Sequence, residues 1–312
     1  MVPDPDGHTE LLVKKLGIHS HPNWRQGFES HAYIAHFLRV HKSLALAPTR
    51  LEPQHHFDVA NPADPVFPIH LESLAEFQGV HRPIKTHSVV IATNSVEELL
   101  EMLMRRKLPF RVAPIDEKLA WERIWVGMTP ENPRYSPEVD GGLCLEWMAI
   151  WPLQMPEETF SVPPPEPNNP QPGEMIRIVS RGFIVRDLDE TLRKLSTNLD
   201  WEAAGPVELF ADEGIRRARM GFTLPHSASV DLLEPTRFDG EIGRYLSTWG
   251  PGPHYIRIAV NGLDAKAADL DERGTRYSWL PESAAVSGKR IQVHPDDLDG
   301  TLIEFVEYES PS

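Results

Sequence analysis

Apolar residues along this chain come in short bursts, and the spacing inside each burst changes from place to place. From His254 to Val260, Ile256, Ile258 and Val260 alternate with Tyr255, Arg257 and Ala259, the period-two pattern of a strand with two unlike faces. A helix follows over Asp264 to Arg273, stopped by Gly274. A later strand sets one carboxylate, Glu304, among Leu302, Ile303, Phe305 and Val306. Upstream the same order recurs. Met175 to Val185 reads as a strand, Asp187-Leu188-Asp189-Glu190 caps a helix reaching about Leu199, and strands follow near 206–211, 215–224 and 228–233 before a short helix at 240–248. In the first half, His87 to Ala92 is a β run and Ser95 caps a helix with Glu97 and Glu98 in its first turn. That helix stops before Pro109, and strands are expected at 110–113, 123–127 and 143–150, the last carrying Glu146. Nearer the start, Phe28, Ala32, Ile34, Ala35, Phe37 and Leu38 recur at threes and fours and predict a helix, while Val66 to Leu71 predicts a strand.

Pro152 to Gly173 holds eight prolines in 22 residues, which predicts an extended linker. The expected organisation is an N-terminal domain over 10–151, the linker over 152–173, and a C-terminal domain over 174–309.

The two halves repeat. The run beginning His87-Ser88-Val89-Val90 aligns without a gap on the run beginning His254-Tyr255-Ile256-Arg257, and Asp140 to Glu146 aligns on Asp299 to Glu304 with one residue fewer. Within the second half, Ile176 to Leu195 resembles Ile256 to Leu270. A period this long signals duplicated units of roughly 60 residues rather than a solenoid. The segments IVSRGFIVRDLDETL, VDLLEPTRFDGEIGRYL, GPGPHYIRIAVNGLD and DLDGTLIEFVEY resemble the four signature segments of the vicinal oxygen chelate superfamily. That superfamily includes glyoxalase I, methylmalonyl-CoA epimerase, extradiol dioxygenases and drug-resistance proteins. The C-terminal half is most similar to the epimerase branch, through Asp231-Leu232-Leu233-Glu234-Pro235 and Gly252-Pro253-His254. The resemblance implies an α+β fold of four tandem βαβββ modules, arranged as two glyoxalase-like domains whose curled sheets enclose cavities.

In that superfamily one residue from each of four strands chelates a divalent metal. Carried onto the C-terminal half, those positions are Ser180, Asp231, Tyr255 and Glu304, with Ser180 and Tyr255 standing where histidines are usual. Strand parity gives a separate reading: Tyr255, Arg257 and Glu304 share the inward face, while His254 falls on the packing side. A buried carboxylate needs a partner, so Glu304 is either an ion-pair partner of Arg257 or a ligand or base. In the first half, His70, His87 and Glu146 would form a two-histidine, one-carboxylate set suited to Fe, Mn, Zn or Co, if a bulge turned His87 inward in place of Ser88.

Composition narrows the function classes. Acids outnumber bases 46 to 31, a net charge of −15, which argues against a nucleic-acid partner. No run of about 18 apolar residues is present, which argues against a membrane span. The lone Cys144 fits a reducing, cytoplasmic setting. The expectation is therefore an enzyme acting on a small molecule, as a monomer or a homodimer, that abstracts a proton next to a carbonyl as an isomerase, epimerase or lyase. Glu304 or Asp231 would be the base, Tyr255 the proton donor and Arg257 or a metal the oxyanion partner. An Fe(II)-dependent extradiol-type dioxygenase and a metal-free small-molecule binding or resistance protein are the alternatives.

Overall fold

The computed structural model describes residues 1–28, 33–56, 65–78, 89–113, 122–153 and 155–309. The C-terminal part is built as the periodicity implies. Strand β8 (Met175–Ile184), helix α4 (Leu188–Leu199) and strands β9 (Glu208–Phe210), β10 (Ile215–Met220) and β11 (Ser229–Pro235) form one βαβββ unit. After helix α5 (Glu241–Trp249) comes a second: β12 (Gly252–Val260), α6 (Leu263–Glu272), β13 (Tyr277–Leu280), β14 (Arg290–Val293) and β15 (Leu302–Glu307). The two first strands, β8 and β12, pair antiparallel, which joins the units into one eight-stranded sheet ordered β13-β14-β15-β12-β8-β11-β10-β9. The Asp187 side chain accepts from the Glu190 amide and so starts α4 where the sequence places it.

A third unit of the same order lies in the first half: β4 (Val89–Thr93), α3 (Val96–Arg105), β5 (Phe110–Val112), β6 (Arg123–Val126) and β7 (Leu145–Ala149). Ser95 caps α3 by accepting from the Glu98 amide. The register confirms the repeat. β4 pairs with β7 so that Val90 faces Glu146, as Arg257 faces Glu304 between β12 and β15. The internal repeat aligns Val90 with Arg257 and Glu146 with Glu304, and the two strand pairs have matching register at those positions.

The first 80 residues depart from a fourth such unit. They hold helix α1 (Pro5–Leu16), a three-stranded antiparallel sheet of β1 (Arg25–Phe28), β2 (Tyr33–His36) and β3 (Gln54–His56), and helix α2 (Phe67–Gln78). The helix expected from Asn23 onward is instead, in its described residues, the end of a 3-10 turn followed by strands β1 and β2, while 29–32 lie outside the described residues. Tyr33 and Ala35 are buried on one face while Ile34 is only half-buried, a period of two that a run of so few residues does not distinguish from threes and fours. The strand expected at Val66 to Leu71 is the start of α2: Phe67, His70 and Leu74 are buried at spacings of three and four, and Pro68 sits in the first turn, where its missing N–H costs nothing.

Two large cores hold the layers together. In one, Leu12 and Leu16 of α1 with Ile18, Leu38 and Val40 pack against Leu263, Ala267 and Leu270 of α6 and against Ile258, Ile303 and Phe305 of the big sheet. In the other, Val89, Leu99, Leu103, Ile124 and Leu145 of the four-stranded unit pack against Leu188 and Leu195 of α4 and Ala218, Val230 and Leu232 beneath it. The proline-rich stretch holds short 3-10 turns at Trp151–Leu153 and Glu157–Phe160.

Candidate functional site

The eight-stranded sheet carries a buried polar row on the face away from α6. Cross-strand register sets it: Ser180 opposes Arg257, Arg257 opposes Glu304, and Glu304 opposes Gln292. Asp231 enters the same face from β11, one step along, opposite Gly182. Glycine at 182 has a steric reason. A Cβ there would stand 2.5 Å from a ring carbon of Tyr255, so only a bare backbone lets the tyrosine lie across β8. β12 carries an irregularity at this point, between Pro253 and Ile256, which brings Tyr255 over its neighbour strand.

The resulting contacts close on one another. The Tyr255 hydroxyl donates to Asp231 Oδ2 at 2.7 Å. Arg257 donates Nε and Nη2 to Glu304 Oε2 at 3.0 and 2.7 Å, and its Nη1 lies 3.8 Å from Asp231 Oδ2. Arg290 Nε reaches Glu304 Oε1 at 3.3 Å, and Arg219 Nε reaches Asp231 Oδ1 at 3.2 Å. Ser180, Asp231, Tyr255, Arg257 and Glu304 are all buried. Burial and the neighbouring Asp231 push the Tyr255 phenol well above its ordinary range, so it stays a donor. Burial pulls the Arg257 guanidinium down, but Tyr255 and Glu304 outweigh it and hold the group above its ordinary value.

All four C-terminal residues expected at the site (Asp231, Tyr255, Arg257 and Glu304) thus stand together, with the His254 ring edge-on to Tyr255 at 5.8 Å between centroids. The His254 ring also packs edge-on against Tyr245 of α5, with centroids 4.8 Å apart, and its Nε2 faces Glu241 at 3.6 Å. Sequence reasoning missed Arg290, Arg219 and the steric role of Gly182. The arginines sit on strands β14 and β10, whose faces the local pattern did not fix.

This donor set does not fit a divalent ion. Arg257 reaches both Glu304 and Asp231, and the carboxylate oxygens that would bind metal already accept from guanidinium and phenol.

The N-terminal candidates are arranged differently. His70 lies on α2 rather than on a strand, its ring edge-on to Trp125 with centroids 4.9 Å apart and close to Phe67. Burial first, then the neighbouring Arg111, His56 and Arg123, hold its imidazole neutral, well below the usual histidine range. Glu146 is buried on β7, beside Trp125 of β6 in register. His87 and Ser88 lie outside the described residues. Among the described residues no three His, Cys, Asp or Glu side chains gather as a ligand set.

No family model matches the chain, and no curated protein matches it. Solved structures similar to part of it include a methylmalonyl-CoA epimerase of Streptomyces coelicolor in complex with 2-nitronate-propionyl-CoA. That protein is 30% identical, with a TM-score of 0.38, over 43% of this chain and 98% of the other. The methylmalonyl-CoA epimerase from Mycobacterium tuberculosis is 28% identical, with a TM-score of 0.37, over 43% of this chain and 88% of the other. A hypothetical protein from Bacillus halodurans is 22% identical, with a TM-score of 0.39, over 43% and 96%. Among the described residues no helix is long and apolar enough to cross a membrane.

Chemically, the buried row offers two carboxylates, a protonated phenol and a fixed positive charge within one hydrogen-bonded cluster. Of the carboxylates, Glu304 accepts from two guanidiniums, those of Arg257 and Arg290, and so serves as their ion-pair partner. Asp231 accepts from one guanidinium, that of the half-exposed Arg219, and from the Tyr255 hydroxyl.

Proposed function

We propose that the chain is a small-molecule enzyme that moves a proton at a carbon next to a carbonyl, in the manner of an isomerase or epimerase, at the Asp231–Tyr255–Arg257–Glu304 cluster. The observation that carries this reading is the position of Arg257, whose guanidinium contacts Glu304 and lies 3.8 Å from Asp231. Fixed positive charge in a buried site stabilises an enolate oxygen as it forms, without reorganisation at the moment of reaction. Asp231 takes the proton as the C–H bond breaks, and the electron pair moves onto the carbonyl oxygen beside Arg257. Tyr255 donates its hydrogen bond to Asp231 and sets the orientation of that carboxylate. For net epimerisation a proton from solvent then adds to the opposite face of that carbon as the carbonyl reforms, and Asp231 releases the proton it took. Glu304 holds Arg257 in place and is not the base. The sequence resemblance to the epimerase branch makes acyl thioesters the first substrates to try.

The test is deuterium uptake at the α-carbon of a panel of acyl-CoA thioesters and 2-oxo acids in heavy water, followed by proton NMR. We expect uptake above the buffer rate with the wild-type protein, a loss of about a hundredfold in Asp231→Asn, and a smaller loss in Tyr255→Phe. Buffer-rate uptake across the panel, or full activity in Asp231→Asn, would sink the reading.

A second reading, a small-molecule binding protein, is favoured by one separate feature: a cavity of about 750 Å³ between the eight-stranded sheet and the N-terminal half. The extradiol-type alternative calls for a three-ligand set, which would depend on His87.

A further inference from the structure

The cavity lies behind the catalytic row, on the opposite face of the same sheet. Arg181 opposes Ile256, and Ile256 opposes Ile303, so these three share a face one residue out of step with Ser180, Arg257 and Glu304. All three line the cavity. Its other walls come from α1, the segment 48–54, β4, the end of β7, the proline-rich stretch and the loop 222–228. Most of the wall is apolar, with Phe37, Met148, Ile150, Phe160, Leu224 and Ile256 contributing. A volume of several hundred cubic ångströms, mostly apolar with a few convergent polar groups, is what a small-molecule site offers.

Two arginines enter this apolar space, and among the described residues no carboxylate hydrogen-bonds to either. Arg181 makes no hydrogen bond or ion pair with any described residue, and burial alone acts on its ionisation, pulling it down to about 10. Arg50 donates through Nη2 to the Leu153 carbonyl, while its buried Nε finds no acceptor among the described residues. Two acids also line the cavity, Glu52 and Glu98, and neither hydrogen-bonds to either guanidinium. Glu52 is protonated at neutral pH, its carboxyl pushed up to about 8 by burial and by Glu146. In a chain where acids outnumber bases 46 to 31, a half-buried arginine with no carboxylate partner among the described residues is a cost that a bound anion would reduce.

We infer that this cavity is a binding site for an amphipathic carboxylate, its apolar body held among Phe37, Met148, Ile150 and Leu224 and its carboxylate bridging Arg181 and Arg50. A carboxylate matches the planar guanidinium fork. Two cations set against the charge of Glu98 suit a single negative charge better than a double one. The site is independent of the proton-transfer reading, because a whole sheet layer separates the two.

Isothermal calorimetry with decanoate tests this, with decan-1-ol as the same tail without the charge. We expect one decanoate per chain, bound at least about tenfold more tightly than decan-1-ol. Arg181→Met brings decanoate down to the level of the alcohol, Arg181→Lys retains part of the preference, and Asp231→Asn leaves decanoate binding unchanged. In the ligand-free protein, Arg181→Met holds or raises the thermal midpoint, since it removes a half-buried charge that no described residue pairs with. The proposal is overturned if decanoate does not bind at millimolar concentration, or if the alcohol binds as well as the acid. It is equally overturned if Arg181→Met keeps decanoate affinity within twofold, or if its ligand-free midpoint falls by several degrees, which would make Arg181 a structural residue.

Discussion

Replacing Arg257 with methionine should destabilise the protein by about 3–5 kcal/mol, the cost of breaking a buried ion pair from one side. The side chain is 9% exposed, and that of its partner Glu304 is 6% exposed. Removing the guanidinium strips Glu304 of two hydrogen bonds to one oxygen and leaves only the 3.3 Å contact from Arg290. It also leaves Asp231, which is fully buried, with less positive charge nearby. The loss belongs to the uncompensated carboxylate, not to the arginine's own packing, and a second substitution separates the two. Glu304→Leu in the Arg257→Met background should recover most of the stability, because an apolar pair of similar volume substitutes well for a buried ion pair. Urea unfolding of the two variants beside the wild type measures this. A loss below about 1 kcal/mol in Arg257→Met, or no recovery in the double variant, would mean that the pair is solvated and not a buried ion pair.

Stability should fall as the pH is raised from 5 to 8.5, through Glu52. Burial, reinforced by the charge of Glu146, pushes its carboxyl from 4.5 up to about 8, and Arg123 and Arg50 offset this only in part. Native Glu52 therefore keeps a proton that the unfolded chain releases between about pH 4.5 and 8. More protons are bound to the native state in that window, so unfolding becomes easier as pH rises. The contribution is fully present below pH 4.5 and is lost as the pH passes through 8. Its size is on the order of 2–4 kcal/mol. His56 acts with the opposite sign at lower pH: burial holds it down to about 3, so stability from that residue grows as pH rises towards 6.5. The difference between wild type and Glu52→Gln removes this background. We expect the Glu52→Gln substitution to flatten the profile and to give the more stable protein at pH 8.5. Parallel urea midpoints for the two proteins from pH 5 to 8.5 would show that Glu52 is charged throughout.

Where local chemistry decides an element, the sequence was a sufficient guide. Asp187 and Ser95 start their helices by accepting backbone N–H groups three residues on, a signal contained in four residues. The polar row was legible through the repeat and strand parity together, which placed Arg257 opposite Glu304 as the register does. The first 80 residues were not legible, because β1, β2 and β3 are three or four residues long and are settled by pairing with each other. His70 was misplaced onto a strand for the same reason: a six-residue apolar run does not reveal its period until the turn that follows is counted. Arg181 gave a weak signal. Standing next to the inward Ser180, it had to lie on the packed face, where an arginine is out of place. Nothing local could show that Arg50, 131 positions earlier, would meet it at the same cavity.

The two cores carry one more consequence. Leu16 of α1 and Leu270 of α6 lie in one cluster, as do Leu103 of α3 and Leu195 of α4. Neither side of the proline-rich stretch can be stripped away without exposing the other's apolar surface to water. Heating should therefore melt the chain in a single calorimetric peak, and a protease cut between Pro163 and Pro170 should leave two fragments that still elute together. Two separate peaks, or fragments that part on a sizing column, would show that each side is stable alone.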